Sequence, residues 1–210
     1  AREDGSTPLY LVCHDGHFDI DIVRLLLSHE AKPDASGSTG STALHEACKC
    51  GQFEAARMLL DRGANANARN REKDTPLFVA VDANESEMAK LVIERGADVN
   101  AEGDHGSPFF LACRNNAFGI ASLLADKGAS VEAVDASKKG GGDHPLHWAC
   151  RKAKFDAVEF LVKRGADVEA KNAKGETPLS IAEAKKNQDI MQLLMNSGER
   201  GFLRTFYFVP

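Results

Sequence analysis

No apolar run in the 210 residues approaches the roughly 18 that a membrane-spanning helix requires, so no membrane insertion is expected. No N-terminal stretch joins a basic flank, an apolar segment and a small-residue cleavage site. The sign of secretion is missing, which makes the cytosol the expected location, with the nucleus as the alternative. Aromatic residues are scarce at 7%, with a single Trp, and they do not interleave with basic positions as a nucleic-acid stacking platform requires. With a net charge of −5, nucleic acid is an unexpected partner. The local signatures of catalysis are absent too: no Walker-type phosphate loop, no Gly-x-Ser-x-Gly elbow, no Gly-x-Gly-x-x-Gly after a strand. His45-Glu46-Ala47-Cys48-Lys49 begins like a zinc-protease motif, but Lys49 stands where the second histidine ligand must be. No catalytic residue, cofactor or metal is expected.

The chain does have apolar residues at 43%, enough to build a core and to exclude intrinsic disorder. It also repeats itself. Thr7-Pro8-Leu9-Tyr10, Thr42-Ala43-Leu44-His45, Thr75-Pro76-Leu77-Phe78, Ser107-Pro108-Phe109-Phe110, His144-Pro145-Leu146-His147 and Thr177-Pro178-Leu179-Ser180 follow one another at 35, 33, 32, 37 and 33 residues. Gly63, Gly96, Gly128, Gly165 and Gly198 keep the same phase. Each unit reads as a Thr-capped helix entered through Pro, a turn, a second helix with one apolar face, and a glycine that ends it. In the fifth unit that face is Phe155, Val158, Leu161 and Val162.

The Thr-Pro-Leu-His core, the small pair such as Ala149-Cys150 and the Gly-Ala-Asp-Val of Gly96 to Val99 and Gly165 to Val168 give the chain its family likeness. It resembles the ankyrin-repeat family over about residues 2 to 198. The resemblance implies an all-α solenoid of stacked helix-turn-helix units with protruding β-hairpin-like loops. The units are expected at about 2–36, 37–69, 70–101, 102–134, 135–171 and 172–198, with an aromatic segment at 199–210. It also implies that His45 and His147, at the motif histidine, tie neighbouring loops together by hydrogen bonds. Asn67 and Asn100 fall at a loop position that is hydroxylated in some members of the family.

The pattern departs from its rule in four places. Repeat 1 carries two extra residues, expected in its second helix within Asp19 to Ile22, and has Glu30 in place of the terminal glycine. Pro33 is then expected to stop that helix, with a flexible Ser/Gly-rich connection to Thr42. Residues 137–142, Ser-Lys-Lys-Gly-Gly-Gly, lengthen the loop before repeat 5 into a finger carrying Lys138 and Lys139. The first repeat lacks a polar cap helix and the chain opens on Ala1, so upstream sequence is expected to have been removed. After Gly198, Phe202, Phe206, Tyr207 and Phe208 are expected to fold back on the last helix pair, or to dock on a partner or a second copy of an otherwise monomeric chain.

Cys13, Cys48, Cys113 and Cys150 are separated by whole repeat lengths, so each fills the same small slot of a first helix, too far from the others to bridge or share a metal. Cys50 is out of phase and expected at the surface. What remains is a surface. Residues 1–135 hold 13 Lys/Arg against 22 Asp/Glu, a net −9, and residues 136–210 hold 13 against 9, a net +4. In ankyrin stacks the partner meets the loops and the exposed ends of the first helices. Arg114, Asn115, Trp148, Arg151, Lys152 and Lys185, with Lys138 and Lys139 of the finger, are therefore the candidate partner-binding residues. Trp148 stands in a slot filled elsewhere by Leu11, Val79, Leu111 and Ile181, so its alternative role is packing. The expected function is a non-enzymatic scaffold or adaptor for a protein or peptide, acidic or phosphorylated. The alternative is a regulatory or targeting domain of a larger enzyme, channel or receptor.

Overall fold

The computed structural model describes residues 6–14, 18–134 and 142–207, the last ten of these as backbone only. Among them are twelve helices in six pairs. The first of each pair is a seven-residue inner helix: α1 Pro8–His14, α3 Ala43–Lys49, α5 Pro76–Asp82, α7 Pro108–Arg114, α9 Pro145–Arg151 and α11 Pro178–Ala184. The second is an outer helix of nine residues: α2 Ile20–Ser28, α4 Phe53–Asp61, α6 Ser86–Glu94, α8 Phe118–Asp126 and α10 Phe155–Lys163, with α12 extended to Gln188–Tyr207. Inner helices pack in sequence order from α1 to α11, and outer helices likewise from α2 to α12, α8 meeting α10 through the stacked rings of Phe118 and Phe160. Helices of seven and nine residues are too short to persist alone, so their stability comes from this stacking.

Each inner helix begins where the sequence says. The Thr75, Ser107 and Thr177 hydroxyls accept the N–H of Phe78, Phe110 and Ser180 at 3.2, 3.1 and 3.2 Å. Outer helices end at residues in the left-handed region, Gly63, Gly96, Gly128 and Gly165, with φ between 82 and 90°. The apolar faces meet in one continuous core that includes Leu44, Leu77, Phe109, Leu124, Leu146 and Leu161, all at 1% exposure or less. Cys13, Cys48, Cys113 and Cys150 are buried in it and Cys50 is exposed. Burial pushes the thiols of Cys13, Cys113 and Cys150 up to about 12, so they stay protonated and inert.

The loops stack through a ladder of side chains at repeat spacing. Asp34, Asn67, Asn100 and Glu132 accept the backbone N–H of Asn65, Asp98, Ser130 and Asp167 in the following loop, at 2.7 to 2.9 Å. The Asn67 and Asn100 amides also donate to the carbonyls of Gly96 and Gly128. Their side chains therefore already have a structural task.

Four expectations need correction. Helix α2 has the same nine residues as its counterparts α4, α6, α8 and α10, so the extra length of repeat 1 is not in its second helix. Glu30 itself takes the glycine's left-handed conformation, with φ 59°, and α2 ends at Ser28 without help from Pro33. The connection to Thr42 is a closed turn, with a bridge between Ser36 and Thr42 and the Gly37 N–H donated to the Ser41 carbonyl at 2.9 Å. Gly198 ends nothing. Helix α12 runs through it to Tyr207, so the chain does not reverse there. Lys138 and Lys139 of the finger fall within 135–141, outside the described residues.

Candidate partner-binding face

Most of the candidate residues gather at one place in the fold, the C-terminal ends of consecutive inner helices. Arg114 is the last residue of α7 and Asn115 its C-cap; Arg151 and Lys152 hold the same places on α9; Lys185 is the C-cap of α11. Because α7, α9 and α11 pack side by side, these ends form one rim. Arg114, Asn115, Lys152 and Lys185 are exposed, and none of the three cations is in an ion pair among the described residues. Trp148 is half-buried, edge-on to Phe110 with ring centroids 6.4 Å apart, so it packs one repeat on the next while keeping part of its surface open.

Arg151 differs from its neighbours. Its guanidinium donates to both oxygens of Asp143, Nε to Oδ2 and Nη2 to Oδ1, each at 2.9 Å. Nη2 also reaches Glu176 Oε2 at 2.8 Å. The Asn172 amide closes the ring, donating to Asp143 Oδ1 at 2.7 Å and Glu176 Oε2 at 2.9 Å. Burial alone would raise the Asp143 carboxyl, but the hydrogen bonds from Arg151 and Asn172 bring it below the usual carboxylate range. The same bonds hold Arg151 firmly charged. A bidentate pair of this kind clamps the loops of the last two repeats. Arg151 is thus a joint of the stack, paired with the loops on either side of it.

The motif histidines act as the resemblance implies. His45 Nε2 donates to the Asp74 carbonyl at 3.1 Å, and His147 Nε2 to the carbonyls of Ala170 and Glu176 at 3.0 Å. Their Nδ1 atoms accept the N–H of Thr42 and His144. Burial lowers the pKa of both rings, which keeps them neutral.

Sequence reasoning missed the face of the first three repeats. A groove of about 650 Å³ lies there, lined by α1, α3, α5 and the loops before α3 and α5. Glu46 lies in it, 6% exposed, in the slot that Leu11, Val79, Leu111, Trp148 and Ile181 fill elsewhere. His14 Nδ1 meets Glu46 Oε2 at 2.9 Å, and the Tyr10 hydroxyl donates to Oε1 at 3.5 Å. Asp74, also buried, receives His105 Nδ1 at 3.1 Å from the next loop. The available signal was a carboxylate in an apolar phase of the repeat. Among the described residues, one set of metal-capable groups converges, Glu72, Asp74 and His105, with ligand atoms within 4.8 Å of one another. His105 already bonds Asp74 there, a contact between loops that the fold itself accounts for.

Stacked helix pairs, joined by polar loops and presenting the ends of the inner helices along one side, define a repeat solenoid with a surface for other molecules. The family model described as ankyrin repeats (3 copies) matches three segments, residues 1–70, 63–135 and 132–202, and the chain belongs to the ankyrin-repeat family. No curated protein matches it. Ankyrin repeats are generally protein-binding modules, and no helix among the described residues is long and apolar enough to cross a membrane.

Proposed function

We propose that the chain is a non-enzymatic scaffold or adaptor that seats an acidic or phosphorylated segment of a partner protein on its inner-helix ends and loop tips. The observation that carries this reading is the rim of exposed cations, Arg114, Lys152 and Lys185, on three consecutive inner helices and in no ion pair among the described residues. Cations at the ends of consecutive inner helices suit an extended anionic segment, and the half-buried Trp148 offers a rigid, half-open contact. Lys138 and Lys139, outside the described residues, belong to the same proposal as basic residues that precede α9 in the sequence.

The test is affinity capture from lysate with the whole chain and with an Arg114→Glu/Lys152→Glu/Lys185→Glu variant of equal Tm. Arg151 is left out because it holds the stack. Proteins retained by the chain and lost from the variant, and lost again after phosphatase treatment if the segment is phosphorylated, fit the proposal. Identical partner sets overturn it. A second reading, a regulatory or targeting unit of a larger protein, is favoured by α2, where Ile22 and Leu25 are 43% and 57% exposed although Met88, Ile120 and Leu91 at the matching positions are buried.

A further inference from the structure

The groove of the first three repeats has the opposite chemistry to the cationic rim. It is lined by four carboxylates, Glu46, Glu72, Asp74 and Asp82, against two cations, Lys49 and Arg71. Two of the four are buried, where water screens them least. Packing alone does not ask for Glu46: its slot is apolar in the five other repeats, and a carboxylate there costs desolvation. Glu72 and Asp82 are exposed and in no ion pair among the described residues. Phe78 and Val79 supply an apolar wall against which the methylene stem of a long cationic side chain can lie.

We propose that this groove receives a basic, Lys- or Arg-bearing segment of a protein partner, its cationic heads directed at Glu72 and Asp82 on the rim and at Glu46 and Asp74 beneath. The proposal rests on the reading of the inner-helix face as protein-binding and gives that face a polarity: basic residues of the partner over repeats 1 to 3, acidic ones over repeats 4 to 6. Charge complementarity selects the occupant, since like charge over such a groove is repelled.

Fluorescence anisotropy tests it with the whole chain and two labelled 12-residue probes, one of alternating Lys and Ser, the other of alternating Glu and Ser. The Lys/Ser probe should bind, weaken with added salt, and lose roughly tenfold in affinity in Glu72→Lys/Asp82→Lys. A control of equal charge change on the outer helices, Glu94→Lys/Asp156→Lys, should lose less than about twofold, as general field effects alone predict. Equal losses in the two variants overturn the proposal, because the attraction is then that of the whole chain. If only the Glu/Ser probe binds, and Arg114→Glu/Lys152→Glu abolishes that binding, the face binds proteins and the basic-segment proposal alone fails. If neither probe binds, both fail.

Discussion

Helices α7 and α9 end alike in sequence, Ala112-Cys113-Arg114 and Ala149-Cys150-Arg151, yet the two arginines have different tasks. Arg114 is exposed and in no ion pair among the described residues, whereas Arg151 is held by Asp143 and Glu176. The difference lies outside the helices. The residue before the cap is Gly106 in one repeat and Asp143 in the next, with Glu176 at the same place in the repeat after that. An arginine at the end of an inner helix stands free at the surface or serves as a joint according to what its own loop and the following one offer it. Repeat position alone does not decide.

The largest expected effect separates the two directly. Arg151→Ala leaves the buried Asp143 carboxylate with Asn172 as its one remaining hydrogen-bond donor among the described residues, and should cost about 2 kcal/mol of unfolding free energy. Arg114→Ala removes an exposed side chain without an ion pair, and should cost less than about 0.5 kcal/mol. Urea unfolding followed by circular dichroism gives both values. Equal costs would mean that the clamp is a surface pair of no consequence.

A smaller effect concerns pH at the same joint. The folded state keeps His147, and His45 in repeat 2, neutral by burial, while in the unfolded chain each takes up a proton near 6.5. Their contribution is therefore fully present above that value and is lost as pH falls below it towards the lowered folded pKa. Stability should decline between pH 7.5 and 5.5, and the decline should shrink in His147→Gln. Asp143, whose carboxyl lies below its ordinary 3.8 when folded, adds a second loss only under pH 4. An unchanged slope in the histidine variant would sink the first window.

Much of this was legible in the sequence because the repeat is. Thr-Pro-Leu spacing placed the inner helices, the cysteine phase placed the small slot, and the motif histidines announced bonds to the next loop. The contacts that distinguish one repeat from another were harder to see. Arg151 meets Asp143 and Glu176 across 8 and 25 residues, a pairing that depends on how two loops stack rather than on any local pattern. Glu46 was visible as a departure in the apolar slot, but the groove around it needs three repeats assembled. Glu30 shows the limit of reading by type: the chain takes a left-handed turn there, with φ 59°, glycine or not. The binding roles proposed for Arg114, Lys152 and Lys185 are of the same kind, since a partner's shape is not written in the repeat.

The smallest expected effect returns to the two helix ends. The second residue after each inner helix from α3 to α11 has positive φ: Gly51, Asn84, Asn116, Ala153 and Lys186. After α7 this is Asn116 at φ 56°, a residue type that tolerates the left-handed region; after α9 it is Ala153 at φ 53°, whose Cβ makes that conformation unfavourable. The α9 end is thus held by the Arg151 clamp while its backbone carries strain. Ala153→Gly should relieve part of it and raise stability by up to about 1 kcal/mol, offset by the greater freedom glycine gives the unfolded chain. Asn116→Gly should change stability by less than about 0.5 kcal/mol. Both are read as shifts of the urea midpoint. If Ala153→Gly destabilises as much as glycine does within a helix, the strain is not relieved by losing the Cβ, and α9 and α7 end under the same backbone constraint.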